Sequence, residues 1–274
     1  MIPINKEKND LQVILIGFSL VLLVGTGFFL KSHFVGSRLQ NDTDRSKVAP
    51  TDKFSSITVS DLAKKISAKE KLSIFDLRDA DSFSSEHILD SKNLSVDDLQ
   101  KILPGLDKSR AYFFVDDLGL TPDEIQAMRF FKDNSFSDIA YLEGGLTHWK
   151  NEYETTISGG DPYSLADQSK VSYIKSDILK KDIDDKKTPF IIDVRSAEAY
   201  SQGHIAGAIN IPLENLESRR REIPSGTKIV LCDENGVGAF QGAVRLFDAG
   251  ILNIYVLSDG LNTWKQKGFE LATD

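Results

Sequence analysis

Three segments of this chain occur twice, in the same order. Phe75-Asp76-Leu77-Arg78 parallels Ile192-Asp193-Val194-Arg195. Glu86-His87-Ile88 parallels Gly203-His204-Ile205, and Gly145-Leu146-Thr147-His148-Trp149 parallels Gly260-Leu261-Asn262-Thr263-Trp264. The offset is 117 positions from Asp76 to Asp193 and from His87 to His204, and 115 positions from Gly145 to Gly260 and from Trp149 to Trp264. A repeat that keeps register over a whole domain length means two copies of one fold, not a solenoid of short units. The 274 residues leave room for two domains of about a hundred residues each behind an N-terminal segment.

Within each copy, short apolar runs alternate with amphipathic ones. Leu72–Phe75, Tyr112–Val115 and Ile139–Leu142 are strand candidates in the first copy; Phe190–Ile192, Ile229–Leu231 and Ile254–Leu257 are their counterparts. Strands apolar on both faces, with helices between them, imply an α/β fold: a parallel sheet covered by helices on both sides. Sites in such sheets lie beyond the carboxyl ends of the strands.

Cys232, the only cysteine, falls at such an end. It closes the run Lys228-Ile229-Val230-Leu231 and precedes the polar loop Asp233-Glu234-Asn235-Gly236-Val237-Gly238, after which a helical pattern begins at Ala239. Strand, cysteine, tight loop and helix can form an anion site, in which loop amides and the helix N-terminus favour a thiolate. The same residue can also be a small buried hydrophobe at a strand end. Asp193, Arg195 and His204 are charged or polar at turns, and each reads either as site chemistry or as a structural tie between loops.

Asp193-Val194-Arg195, then Gly203-His204-Ile205-Ala206-Gly207-Ala208-Ile209-Asn210-Ile211-Pro212, then the cysteine loop, then Asp259-Gly260-Leu261-Asn262-Thr263-Trp264 resemble the rhodanese family over roughly Val171 to Leu271. The resemblance implies two tandem rhodanese-like domains. It also implies a sulfurtransferase chemistry: the Cys232 thiolate takes the outer sulfur of a donor such as thiosulfate or a persulfide, holds it as a persulfide, and passes it to an acceptor thiol or protein. The substrate-binding loop is then Asp233 to Gly238, with Asp193, Arg195 and His204 as structural support. In the first copy the cysteine position is expected at Asp116 or Asp117, so that copy resembles a domain without a nucleophile.

Active loops of the family commonly read C-x-x-G-x-R, the arginine binding the donor anion. Here Gly238 takes the arginine position when the helix is aligned through Ala239, Leu246 and Gly250, and the loop counted from Cys232 is one residue longer. Asp233 and Glu234 add negative charge beside the sulfur, which opposes thiolate formation. The longer loop is similar to those of phosphatases on the same fold, but phosphoryl transfer needs the absent arginine. The alternative function is a non-catalytic tandem rhodanese-like module for protein or ligand binding at the membrane surface.

Leu11–Leu30 carries no charge in 20 residues, a helical length of about 30 Å that can cross a bilayer. We read residues 1–10 as a tail, 11–30 as a single transmembrane helix, 31–56 as a polar tether and 57–157 as the first rhodanese-like domain. A linker follows at 158–170, then the second domain at 171–274. A signal-anchor arrangement would put the domains outside the cytoplasm. Net charge is −8 without a basic block, which argues against nucleic acid as a partner. One cysteine and four scattered histidines point to no metal site, and nothing implies a cofactor.

Overall fold

The computed structural model describes residues 53–274 apart from Tyr153, Thr188 and Asp274, so the expected transmembrane helix at 11–30 lies outside the described residues. Among the described residues no helix is long and apolar enough to cross a membrane. The first copy runs β1 (Ser56–Ile57), α1 (Val59–Ser67), β2 (Leu72–Asp76), α2 (Ala80–Ser85), β3 (Glu86–His87), β4 (Lys92–Asn93), α3 (Val96–Ile102), β5 (Ala111–Val115), α4 (Pro122–Asp133), β6 (Ile139–Leu142), α5 (Gly145–Asn151) and β7 (Ile157–Ser158). The second runs α6 (Leu165–Gln168), β8 (Ser172–Ile174), α7 (Ser176–Asp184), β9 (Phe190–Asp193), α8 (Ala197–Ser201), β10 (Ile209–Asn210), β11 (Ile229–Cys232), α9 (Val237–Asp248), β12 (Ile254–Leu257) and α10 (Gly260–Gln266).

Each copy is built on a five-stranded parallel sheet of one topology. The orders are β1-β6-β5-β2-β4 and β8-β12-β11-β9-β10. Strand alternation sends successive side chains to opposite faces, where helices cover them. In the first copy, Val59 and Leu62 of α1 pack with Leu146 and Trp149 of α5 on one face. Met128 and Phe131 of α4 pack with Leu99 of α3 on the other. In the second copy, α9 presents Ala239, Phe240, Ala243 and Val244 to Ile229 and Leu231. Leu179 of α7 and Leu261 and Trp264 of α10 cover the opposite face.

Local chemistry sets the helix starts. Thr58, Asp79, Ser95 and Ser196 each cap a helix by accepting a backbone N–H three residues on. Thr121 and Glu124 make a reciprocal capping box, with Pro122 at the first position of α4. Helix α9 differs. It starts after Gly236, whose φ is +92° and whose added Cβ would lie 3.0 Å from the Ser258 carbonyl oxygen. Gly236, as the residue preceding α9, has no side chain with which to cap.

The two copies pack through polar contacts. Glu217 accepts from the Asp90 backbone N–H at 2.9 Å and meets His87 Nε2 at 2.9 Å. Arg220 forms a two-pronged pair with Asp90, both bonds 2.7 Å. Asp248 at the end of α9 accepts from the Ser158 N–H and from Lys170. Arg220 is thus an interdomain tie.

Glu217→Ala removes the half-buried carboxylate that meets both the His87 ring and the exposed Asp90 amide, two hydrogen bonds of about 0.5–1.5 kcal/mol each. We expect the unfolding free energy from urea titration to fall by about 1–3 kcal/mol and the midpoint with it, the fluorescence transition broadening as the copies uncouple. An unchanged midpoint would mean that the contact contributes nothing.

Candidate functional site

The mouths of the two sheets are held by the same device. Asp193 ends β9 and pairs with Arg195, whose Nε and Nη2 donate to its carboxylate at 2.9 and 2.6 Å. Arg195 Nη2 also donates to the Gly203 carbonyl at 2.8 Å, and its Nη1 lies 3.4 Å from Glu234. Asn210 donates to the carbonyls of Asp193 and Arg195. Asp76, Arg78, Glu86, Asp117 and Asn93 repeat these contacts in the first copy. Asp193 and Arg195 therefore tie loops together. His204 is buried, stacked on Tyr200 with ring centroids 3.8 Å apart, and its backbone bridges Ala272.

The structure alters the expected place of Cys232. Cys232 is the last residue of β11, paired in register with Asp193, and is 0% exposed. Along β11, Ile229 and Leu231 face α9, while Val230 and Cys232 face the opposite side, among Ile191, Leu257, Leu261 and Trp264. The sulfur thus sits on the α10 side of the sheet, on the face opposite α9. Burial, followed by the negative charge of Asp193, pushes the thiol well above its ordinary range.

Asp233 takes the place expected for the sulfur. One carboxylate oxygen accepts from Gly236 N–H at 2.6 Å and the other from Gly238 N–H at 2.9 Å. These are the loop and first-turn amides that form an anion cradle, and by accepting from them the Asp233 carboxylate supplies the cap that Gly236 cannot. Asp233 is 7% exposed, and burial raises its carboxyl above the usual range against the pull of those amides. Counted from Asp233, Asp233-Glu234-Asn235-Gly236-Val237-Gly238 has the C-x-x-G-x-R spacing with no insertion, aspartate standing for cysteine and glycine for arginine. The extra residue expected from counting at Cys232 disappears.

The first copy confirms the frame. Val115 is in register with Asp76 as Cys232 is with Asp193, so Val115, not Asp116 or Asp117, is the counterpart of Cys232. The Asp116 carbonyl accepts from Leu146 N–H at 2.8 Å, as the Asp233 carbonyl accepts from Leu261 N–H at 2.8 Å. Asp116-Asp117-Leu118-Gly119 repeats the D-x-x-G spacing, and Gly119 and Gly236 both have positive φ. The Asp116 carboxylate accepts from Thr121 Oγ1 at 2.9 Å and from Asp117 N–H at 2.7 Å. Glu124 takes the Thr121 N–H at 2.9 Å. The 117-position offset already paired Cys232 with Val115, a signal that the reading at Asp116 or Asp117 passed over.

Glu124 is a feature that sequence reasoning missed, because its capping position resembles an ordinary exposed one. It is 0% exposed, and its Oε1 has no hydrogen-bond partner among the described residues. Burial, reinforced by the Asp116 carboxylate, raises its carboxyl to about 7.

The comparisons place these loops in a family. A rhodanese-like domain model matches residues 58–152 and again 175–267. The chain belongs to the rhodanese family, as two tandem copies. It is 38% identical over 77 residues to the protein YqhL of Bacillus subtilis, covering 28% of this chain and 61% of that protein, so it spans less than two thirds of that relative. It is 25% identical to a sulfurtransferase of Allochromatium vinosum over 37% of this chain and 95% of that one. A crystal structure of thiosulfate sulfurtransferase from Pseudomonas aeruginosa matches over 80% of this chain and 43% of that one, at 23% identity and a TM-score of 0.44.

Glu124 yields a pH dependence. Its folded value of about 7 lies above the ordinary 4.5, so the folded state binds the proton more tightly than the unfolded state. Its contribution is fully present below pH 4.5 and is lost as pH rises to about 7. Glu124→Gln keeps an oxygen for the Thr121 N–H and removes the charge. We expect the variant to match the parent near pH 4 and to exceed it by about 1–3 kcal/mol at pH 8 in urea titrations. Equal stability at both pH values would refute the buried-acid assignment.

Proposed function

We propose that this protein serves sulfur transfer as a non-catalytic tandem rhodanese module, binding a donor or acceptor protein instead of carrying the sulfur itself. The observation that carries this reading is the Asp233 carboxylate seated on the Gly236 and Gly238 amides. A fixed anion there repels a dianionic donor such as thiosulfate, and a carboxylate cannot hold a sulfane sulfur. Asp116 occupies the equivalent position in the first copy. No loop arginine offsets either charge.

The second reading, transfer through a Cys232 persulfide, is favoured by one observation. The sulfur lies at the carboxyl end of β11, one residue before the family position. In that step the Cys232 thiolate would attack the outer sulfur of thiosulfate, form an S–S bond and release sulfite. The two readings separate by mass spectrometry of the full chain after exposure to thiosulfate or polysulfide. We expect no gain of a sulfur atom on native Cys232, and iodoacetamide alkylation only in denaturant. The double variant Cys232→Val with Asp233→Cys places a thiol on the cradle amides, and we expect it to be alkylated rapidly below pH 8. Sulfur captured by Cys232 in the native parent would overturn the binding-module reading.

The uncharged stretch Leu11–Leu30 supports single-pass anchoring, and a signal-anchor arrangement would put the domains outside the cytoplasm; the expected tether at 31–56 ends sooner than read, because Phe54 packs on the first core and Ser56 opens β1. Deleting residues 1–30 is expected to release the protein from membranes; a truncated chain that still pellets with membranes in high salt would refute the anchor.

A further inference from the structure

At the opposite end of the first sheet from its loop site, the two copies enclose a groove of about 440 Å³. Its apolar lining is Ile66, Leu72, Ile74 and Leu89, all from the first copy. Its charged lining comes from both copies: Lys69, Lys92 and Arg110 from the first, Arg220 and Arg221 from the second.

The groove inverts the sign of the chain. Net charge is −8 overall, yet five cations line this cavity against two carboxylates, Glu70 and Asp90. Both carboxylates are already neutralised: Glu70 pairs with Lys65 at 2.7 Å and Asp90 with Arg220 at 2.7 Å. Arg110 donates to the Leu72 carbonyl and the Ser73 hydroxyl, both neutral. Arg110 also faces the Asp107 carboxylate. Among the described residues, Lys69, Lys92 and Arg221 have no carboxylate partner, and three such cations around an apolar floor match a ligand with a concentrated negative charge and an apolar body. Guanidinium groups favour planar or tetrahedral oxyanions, and the volume falls in the usual range of small-ligand sites, about 300–1,000 Å³.

We infer that this interdomain groove is a binding site for a soluble phosphate monoester with an apolar or aromatic body, the phosphate held by Lys92 and Arg221 and the body lying against Leu89 and Ile66. The site lies away from both cradles and does not depend on the reading of either loop. Because each copy contributes cations, an occupied groove would also hold the copies together.

Binding of phenyl phosphate and of inorganic phosphate to the full chain, followed by calorimetry, tests this. We expect saturable binding of phenyl phosphate, several-fold tighter than inorganic phosphate and weakened by added salt. Lys92→Glu with Arg221→Glu should weaken phenyl phosphate at least tenfold, and Arg221→Ala alone several-fold. Both residues are exposed and, among the described residues, form no ion pair, so an unchanged Tm should accompany these losses. Lys265→Glu, an exposed cation elsewhere, should change affinity less than twofold. No saturable binding by the parent, equal affinity for the two ligands, or an equal loss in Lys265→Glu would overturn the site.

Discussion

A carboxylate and a guanidinium two residues apart, Asp193 and Arg195, carry the geometry of the second domain's mouth. Their pair is buried, with 0% and 8% exposure, and a buried charge persists only when it is matched and hydrogen-bonded. Arg195 spends its remaining donors on the Gly203 carbonyl and the Glu234 carboxylate. The strand end, the turn before His204 and the start of the Asp233 loop are therefore held to one guanidinium. Asp76 and Arg78 do the same in the first copy, which is why the two mouths share a frame although their loops differ in sequence.

With the frame held, strand alternation decides what each loop residue can do. β11 hydrogen-bonds to β9 up to the Cys232–Asp193 pair, so Cys232 must obey the pleat and turn into the core. Asp233 is the first residue free of the ladder, and its carboxylate meets the amides of the turn. A shift of one residue separates a thiol in a cradle from a thiol under Trp264. The family's sulfur chemistry and this chain's buried sulfur are thus compatible with one fold, because the fold specifies the cradle and leaves its occupant to a single side chain.

Polar ties join the copies, and they have consequences beyond cohesion. Glu217 and Arg220 reach His87 and Asp90 across the interface, and in doing so Arg220 neutralises one of the groove's two carboxylates. Among the described residues, the neighbouring Arg221 and the first copy's Lys92 are left without acidic partners around a shared cavity. An acidic protein thereby acquires a local positive field at the seam of its repeat.

Much of the fold was legible in the linear chain. The repeated Asp-x-Arg segments and the 117-position offset implied two copies of one α/β unit, because a strand buried on both faces is an uninterrupted apolar run and such runs recur in register. The loop was legible as an anion cradle, because glycine at 236 and 119 marks a backbone turn that other residues enter only with strain. Which side chain fills that cradle was not legible from the position of the cysteine alone, since a strand's last residue and a loop's first are neighbours in sequence. The hydrogen-bonded register with β9 separated them and put the Asp233 carboxylate, not the Cys232 sulfur, on the amides. The buried Glu124, the Glu217 contacts and the cation-lined groove were likewise decided in three dimensions: each depends on packing between elements distant in the chain, which leaves no periodic trace in either one.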